Sequence, residues 1–332
     1  MNELISLDTR ARDGVFNENA DLADVMSSCG LNFEIELVPV HQPEGDEVAS
    51  KKIIRRTDTH DVFGVVGNKY NAVQPHRMLE PFNKMVRTYG ARYESAGVIG
   101  SGKKCWVSAT LPDSFKLKNR KDDEIQQRIM VLIANDGMNR NAYMSVANRV
   151  FCNNQMKMIS RAANQSRYGI KHNDKWEDQL LDAELGFSNA LALCKEFESN
   201  ANILDSMKMT PNQMRGFVHQ LLPFDITPEL KKDKVKLERK KAKLESKREE
   251  IVNLFSEGAG NQGVSRWDAI NAVTEFLDHR KVNYKTDETA AKKEKSRFVS
   301  NVISGGGDRL KQRAFDMLIN KHNTYKAVES YV

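Results

Sequence analysis

The chain has 332 residues, 40% hydrophobic and 29% charged, with 19 Gly and 8 Pro. That length allows two domains with a proper core, and that composition excludes a disordered chain, a fibrous one and a minimal disulfide scaffold. The formal net charge of +6 is unevenly spread: residues 1–50 carry −9, residues 51–175 carry +13 and residues 176–332 carry +2. A segment so far from neutral builds a positive potential, for which a polyanion is the natural counterpart. The acidic leader reads either as a solvating tail or as a cover for that basic surface. No apolar run approaches the roughly eighteen residues of a membrane span. The opening MNELISLDTR lacks a basic stretch followed by an apolar one, so the expectation is a cytosolic protein with no membrane partner.

The first periodic element is Leu31–Val40, where Phe33, Ile35 and Leu37 alternate with Glu34 and Glu36 as in a half-buried strand. Lys51–Arg56 and Asp61–Gly67 read as two more strands. From Pro75, the residues Met78, Leu79, Phe82, Met85 and Val86 fall at helical spacing, and Gly90 ends the run. Pro81 lies inside it; an interior proline costs about 3 kcal/mol, which allows the helix to begin at Pro81 instead. Ala91–Ile99, Lys103–Leu111 and Gln126–Asp136 are extended runs joined by the turns GSGK and DSFKLKNRKDDE, an antiparallel meander. Met144–Met156 reads as an extended segment entering a following helix. Beyond about residue 175 the period changes to that of helices, broken at Pro211, Pro223, Pro228, Gly258–Gly263 and Gly305–Gly307.

The expected fold class is therefore α+β: residues 1–50 as acidic leader and first strand, 51–175 as a basic antiparallel-sheet domain with a crossing helix, and 176–332 as a helical domain. Within the last, Leu230, Leu237, Leu244 and Ile251 recur every seven residues, but the second seam position is charged, so no stable coiled coil is expected. Residues 231–250 hold ten basic and five acidic side chains. They read as a solvated helix laced with i,i+4 pairs in preference to an arm touching phosphates.

Most candidate chemistry fails on context. Gly97-Val-Ile-Gly-Ser-Gly102-Lys103-Lys104 nearly spells a phosphate-binding loop, yet Lys104 stands where Ser or Thr should hold magnesium, and a strand follows where a helix should. A hairpin turn is the better reading. His60-Asp61 with Asp58, and Asp278-His279, lack partner ligands for a metal site. Cys29, Cys105, Cys152 and Cys194 are too dispersed for zinc or a disulfide framework and read as free buried thiols. The sequence argues for binding without catalysis, cofactor or metal.

The basic segment does interleave cations with rings. Asn139–Lys175 alone carries seven basic residues and one acidic. Single strands are held by charge along the backbone and by base stacking worth roughly 1–3 kcal/mol per ring. Phosphates would lie along Lys103, Lys104, Arg140, Arg149, Lys157, Arg161 and Arg167, with Trp106 or Tyr168 stacking bases. For each ring, core filling is the competing reading, because alternation sends half of a strand's side chains inward.

Three stretches carry a family resemblance: VFGVVGNKYNAVQP at Val62–Pro75, NRVFCNNQM at Asn148–Met156 and SRWDAINAVTEFLDH at Ser265–His279. Together, from about residue 20 to 282, they resemble the phage/plasmid-like proteins of domain of unknown function 932. The third stretch is the most specific, through Trp267, Asn271, Ala272, Val273, Thr274, Glu275, Asp278 and His279, with Phe276 where Tyr is commoner. The resemblance carries over no catalytic residue. It implies a phage or mobile-element protein of the bacterial cytoplasm. The expectation is a homo-oligomer that binds single-stranded DNA in replication or recombination, as annealing proteins do. The alternative is an interaction protein that engages a host factor through its helical half.

Overall fold

The computed structural model describes residues 12–14, 16–17, 19–150, 154–158, 169–187, 190–225, 227, 233–279 and 287–325. A short capped helix, α1 (Leu22–Ser28), leads into an antiparallel three-stranded sheet of β1 (Ile35–His41), β2 (Glu47–Arg56) and β3 (Val62–Gly67). Helix α2 (Pro75–Thr88) crosses to the larger sheet. That sheet has β4 (Arg92–Ile99), β5 (Lys104–Leu117), β6 (Arg120–Ala134), β7 (Asn141–Arg149) and β8 (Asn154–Met158) in sequential order, with β9 (Gly169–Ile170) also on β7. The remainder is helical: α3 (Trp176–Phe187), α4 (Ala190–Ser206), α5 (Pro211–Leu221), α6 (Lys234–Glu257), α7 (Arg266–His279), α8 (Asp287–Phe298) and α9 (Gly306–Ile319). The fold is α+β, with antiparallel sheets first and helices after. Among the described residues no helix is long and apolar enough to cross a membrane.

Helix α2 starts at Pro75 and runs through Pro81, so Pro81 does not mark its beginning. The missing amide bond is offset by one continuous apolar stripe: Met78, Leu79, Phe82, Met85 and Val86 are all buried, and full burial of such side chains is worth about 1.5–3 kcal/mol each. The segment DSFKLKNRKDDE, expected as a turn, is mostly strand. β5 and β6 extend as one long hairpin in which Phe115 faces Ile125, reversing at Lys118-Asn119. Its charged composition disguised it, because Arg120 and Asp123 are buried in ion pairs. Arg149 pairs opposite Asn154, so the extended reading holds for the described part of Met144–Met156, and the residues just after Met158 lie outside the described residues.

Both faces of the large sheet are covered. On one lie Val107, Ile129, Val131, Tyr143 and Ala147, in an apolar core that runs continuously from Val25 to Tyr325. The Tyr143 hydroxyl donates to the Met78 carbonyl of α2 at 2.8 Å, and Phe115 meets Phe197 of α4 edge-on. On the other lie Trp106, Met130, Leu132, Met144 and Val146, roofed by Phe298 and Val302 from the end of α8 and the turn of π-helix after it. Trp106 lies opposite Gly97 on β4, and a Cβ at that position would come within 2.1 Å of the indole, so only glycine leaves room for the ring. Gly102, at φ +122°, ends the β4–β5 turn where Phe33 and Phe63 of the small sheet close in, which is how the two sheets dock. The near phosphate-binding sequence is thus a hairpin turn. Cys29, Cys105 and Cys194 are free and buried; Cys152 lies outside the described residues.

Candidate nucleic-acid interface

The residues singled out for phosphates and bases separate into three groups. Lys103, Lys104 and Arg140 share one end of the large sheet, where β5 begins, β6 ends and β7 begins. Lys103 and Arg140 are exposed. Lys104 is tied to Asp136 at 3.4 Å. Burial would raise the Asp136 carboxyl, but the amides of Met138 and Asn139 and the Lys104 charge hold it below its ordinary range, so it stays available as a counter-ion. Arg161, Arg167 and Tyr168, and the side chain of Lys157, lie outside the described residues.

Two of the chosen residues are enclosed, which corrects the reading of both. Trp106 is 0% exposed, its ring centroid 4.8 Å from that of Phe298, and it cannot stack a base. The alternation that marked it as a strand residue could not show that both sheet faces are roofed. Arg149 sits at the far end of β7 from Arg140, about 30 Å away at strand rise, with 3% of its side chain exposed. Its guanidinium makes a fork with Asp123, 2.6 Å on each arm, and donates to the carbonyls of Ala259 and Gly260. It therefore tracks no phosphate. Among the described residues, Arg149 is therefore not part of an exposed cationic face with Lys103 and Arg140.

Arg149 belongs to a polar clasp between sheet and helices. Asp123 also accepts from the Trp267 indole at 3.0 Å, and the Asn154 amide donates to the Asn271 carbonyl at 3.3 Å. Arg120 pairs with Asp205 and with both oxygens of Asp268. Burial works against the Asp268 charge, but Arg120 and the amides of Val264 and Gln262 keep its carboxyl below the ordinary range. Burial also lifts Glu275, whose Oε2 accepts the Ala259 amide. Lys311 of α9 is fully enclosed on Asp278 at 2.6 Å and on the Gln155 carbonyl. The second and third resemblance stretches thus meet in space: Arg149, Asn154, Trp267, Asn271 and Thr274 line one cavity of about 20 Å³. That volume suits roughly one water. The clasp is a structural joint. From the first stretch, Gln74 does similar work, donating to and accepting from the Ile35 backbone at 2.8 and 2.9 Å.

The third group lies on the charged helix that the sequence read as solvated in preference to an arm touching phosphates. Asp233 caps α6 by accepting the Lys236 amide at 2.9 Å, at the exposed end of the helix. From Lys234 to Lys247 no side chain is buried; Arg248, Ile251 and Phe255 are the first that are. At 1.5 Å per residue this is an arm of about 20 Å. The expected i,i+4 lacing is absent: the ion pair within α6 is Arg248 with Glu245, at its root. Lys236, Arg239, Lys240, Lys243 and Lys247 make no ion pair with a described residue. With about 100° between successive residues, these five fall in an arc of about 100°, which also takes in Glu250, while Glu238, Glu245 and Glu249 group about 150° away. Projection of the sequence on a helix finds this stripe; counting charges, which returns a mixed run, does not.

Among the described residues no cluster of three His, Cys, Asp or Glu side chains could hold a metal ion. Asp58, considered for that role, is instead held at about 2 by Arg56, with which it pairs at 2.7 Å. A family model described as a domain of unknown function (DUF932) matches residues 62–301, a span that contains all three resemblance stretches. No curated protein and no solved structure matches the chain.

Proposed function

The chain belongs to the family described as domain of unknown function (DUF932), and on that premise we propose that it is a nucleic-acid-binding protein that grips backbone phosphates through α6. The observation that supports this is the stripe of five unpaired cations on a stretch of helix with no buried side chain. Each phosphate neutralised releases condensed counter-ions, so such a surface binds by a sequence-independent, salt-sensitive term. Lys103 and Arg140 are exposed at the sheet end and supply a second, smaller contact. On this reading the binding serves replication or recombination of a phage or mobile element within a bacterial host. Assembly of several copies along one backbone would multiply the contact. No catalytic step is assigned to the protein.

The test is fluorescence anisotropy of labelled DNA with the full chain across a salt series, beside Lys236→Glu/Lys240→Glu/Lys243→Glu. The unmodified chain should bind with an affinity that falls steeply as salt rises, and the variant should bind more weakly with a shallower slope. Absence of salt-dependent binding to any nucleic acid would refute the proposal. It would leave the host-factor reading in its place.

A further inference from the structure

We infer that the nucleic acid taken by the α6 arm is a duplex, with the arm lying along a groove and its basic stripe against one wall of phosphates. This rests on the nucleic-acid reading above and names a duplex in place of the expected single strand. Single-strand binders combine charge with rings on which bases stack, roughly 1–3 kcal/mol for each base. From Asp233 to Leu254 the arm and its root contain no aromatic residue. Elsewhere among the described residues no Phe, Tyr or Trp is exposed. Trp106 lies under Phe298, Tyr70 is stacked on His172 with centroids 4.7 Å apart, and Trp176 is capped by the Arg77 guanidinium at 5.4 Å.

What the arm does offer matches a double helix. A bare helix is about 10–12 Å across with its side chains, and the major groove is about 12 Å wide. The stripe cations recur on average about every 4 Å along the axis, and a duplex presents one phosphate charge per roughly 1.7 Å of axis, denser and stiffer than a single strand. With the stripe on the phosphates, Glu238 and Glu249, both exposed, face away from the polyanion. Between Lys234 and Val252 there is no Asn or Gln to make the bidentate contacts that read adenine. The binding is accordingly blind to sequence.

The deciding experiment is an anisotropy titration of the full chain against single-stranded and duplex DNA of one sequence, about 25 base pairs or two helical turns long. A second duplex of unrelated sequence, anionic phospholipid vesicles and the triple Glu variant complete the set, with circular dichroism checking that the variant is folded. The expected result is duplex bound at least tenfold more tightly than the single strand, and the two duplexes within about twofold of each other. The variant's duplex salt slope should be smaller by about 2–3, close to 0.9 for each cation reversed. Equal or tighter binding of the single strand overturns the duplex inference and leaves the nucleic-acid function standing. Failure to bind either form sinks both. Unchanged duplex binding by the folded variant, or tighter binding to vesicles than to duplex, also overturns the inference, because the arm would then not be a duplex contact.

Discussion

Arg120 and Arg149 in the clasp, and Lys236, Lys240 and Lys243 on the arm, are all cations in a chain whose net charge suggested a polyanion partner, yet they do opposite things. The clasp arginines are about 6% and 3% exposed, forked onto aspartates and capped by loop carbonyls. The arm lysines face water without a counter-ion among the described residues. A buried guanidinium whose donors are taken adds nothing to the outer field, whereas an unpaired surface ammonium adds its full share. The segment total of +13 therefore counts cations of both kinds, since it includes Arg120 and Arg149, which are enclosed, beside Lys103 and Arg140, which are exposed.

The largest expected effect lies on the buried side of this comparison. Arg120→Ala strands Asp205 and Asp268 without their shared cation, and breaking such a pair costs about 3–5 kcal/mol, readable as a lowered midpoint in urea unfolding. A loss under about 1 kcal/mol would mean that the clasp is wetter than its geometry implies. Trp106→Ala should cost a comparable ~3–5 kcal/mol through the cavity left beneath Phe298, with any effect on DNA affinity appearing only in unfolded protein. A selective loss of DNA binding by folded Trp106→Ala would restore that ring to the interface.

A middle-sized effect concerns pH. The Asp268 carboxyl lies below its ordinary value of 3.8, so its stabilising contribution is fully present above that value and is lost as pH falls through the lower folded one. Asp268→Asn should consequently be most destabilised relative to the parent near neutrality, and the gap in unfolding free energy should narrow below about pH 4. The smallest effects belong to exposed charges. Lys103→Glu/Arg140→Glu and the triple arm variant should each shift stability by less than about 0.5 kcal/mol. The rim pair should weaken duplex binding by only a few fold, less than the arm variant does.

How much of this was legible beforehand differs by level. The change of period near residue 175 separated sheet from helices because binary pattern dictates secondary structure. Leu31–Val40 and the Pro75 helix were found on their apolar spacing. The tip of the β5–β6 hairpin was not, since Arg120 and Asp123 read as solvent-facing when their partners, Asp205, Asp268, Arg149 and Trp267, are distant in sequence. Arg149 failed as a site residue for the same reason. Trp106 failed because a strand's alternation names two faces without saying whether either meets water. The arm differs: its stripe is present in the sequence, but a charge census discards angle.

The loop Gly258–Ser265 begins where α6 ends at Glu257, and its Ala259 and Gly260 carbonyls hold Arg149 while its Val264 and Ser265 amides hold Asp268. The lever that reaches into solvent is hence anchored at its fulcrum to the clasp between sheet and helices. A load pulling sideways on the tip is transmitted into the seam between sheet and helices, so rigidity at the tip and cohesion of the interior are one mechanical property.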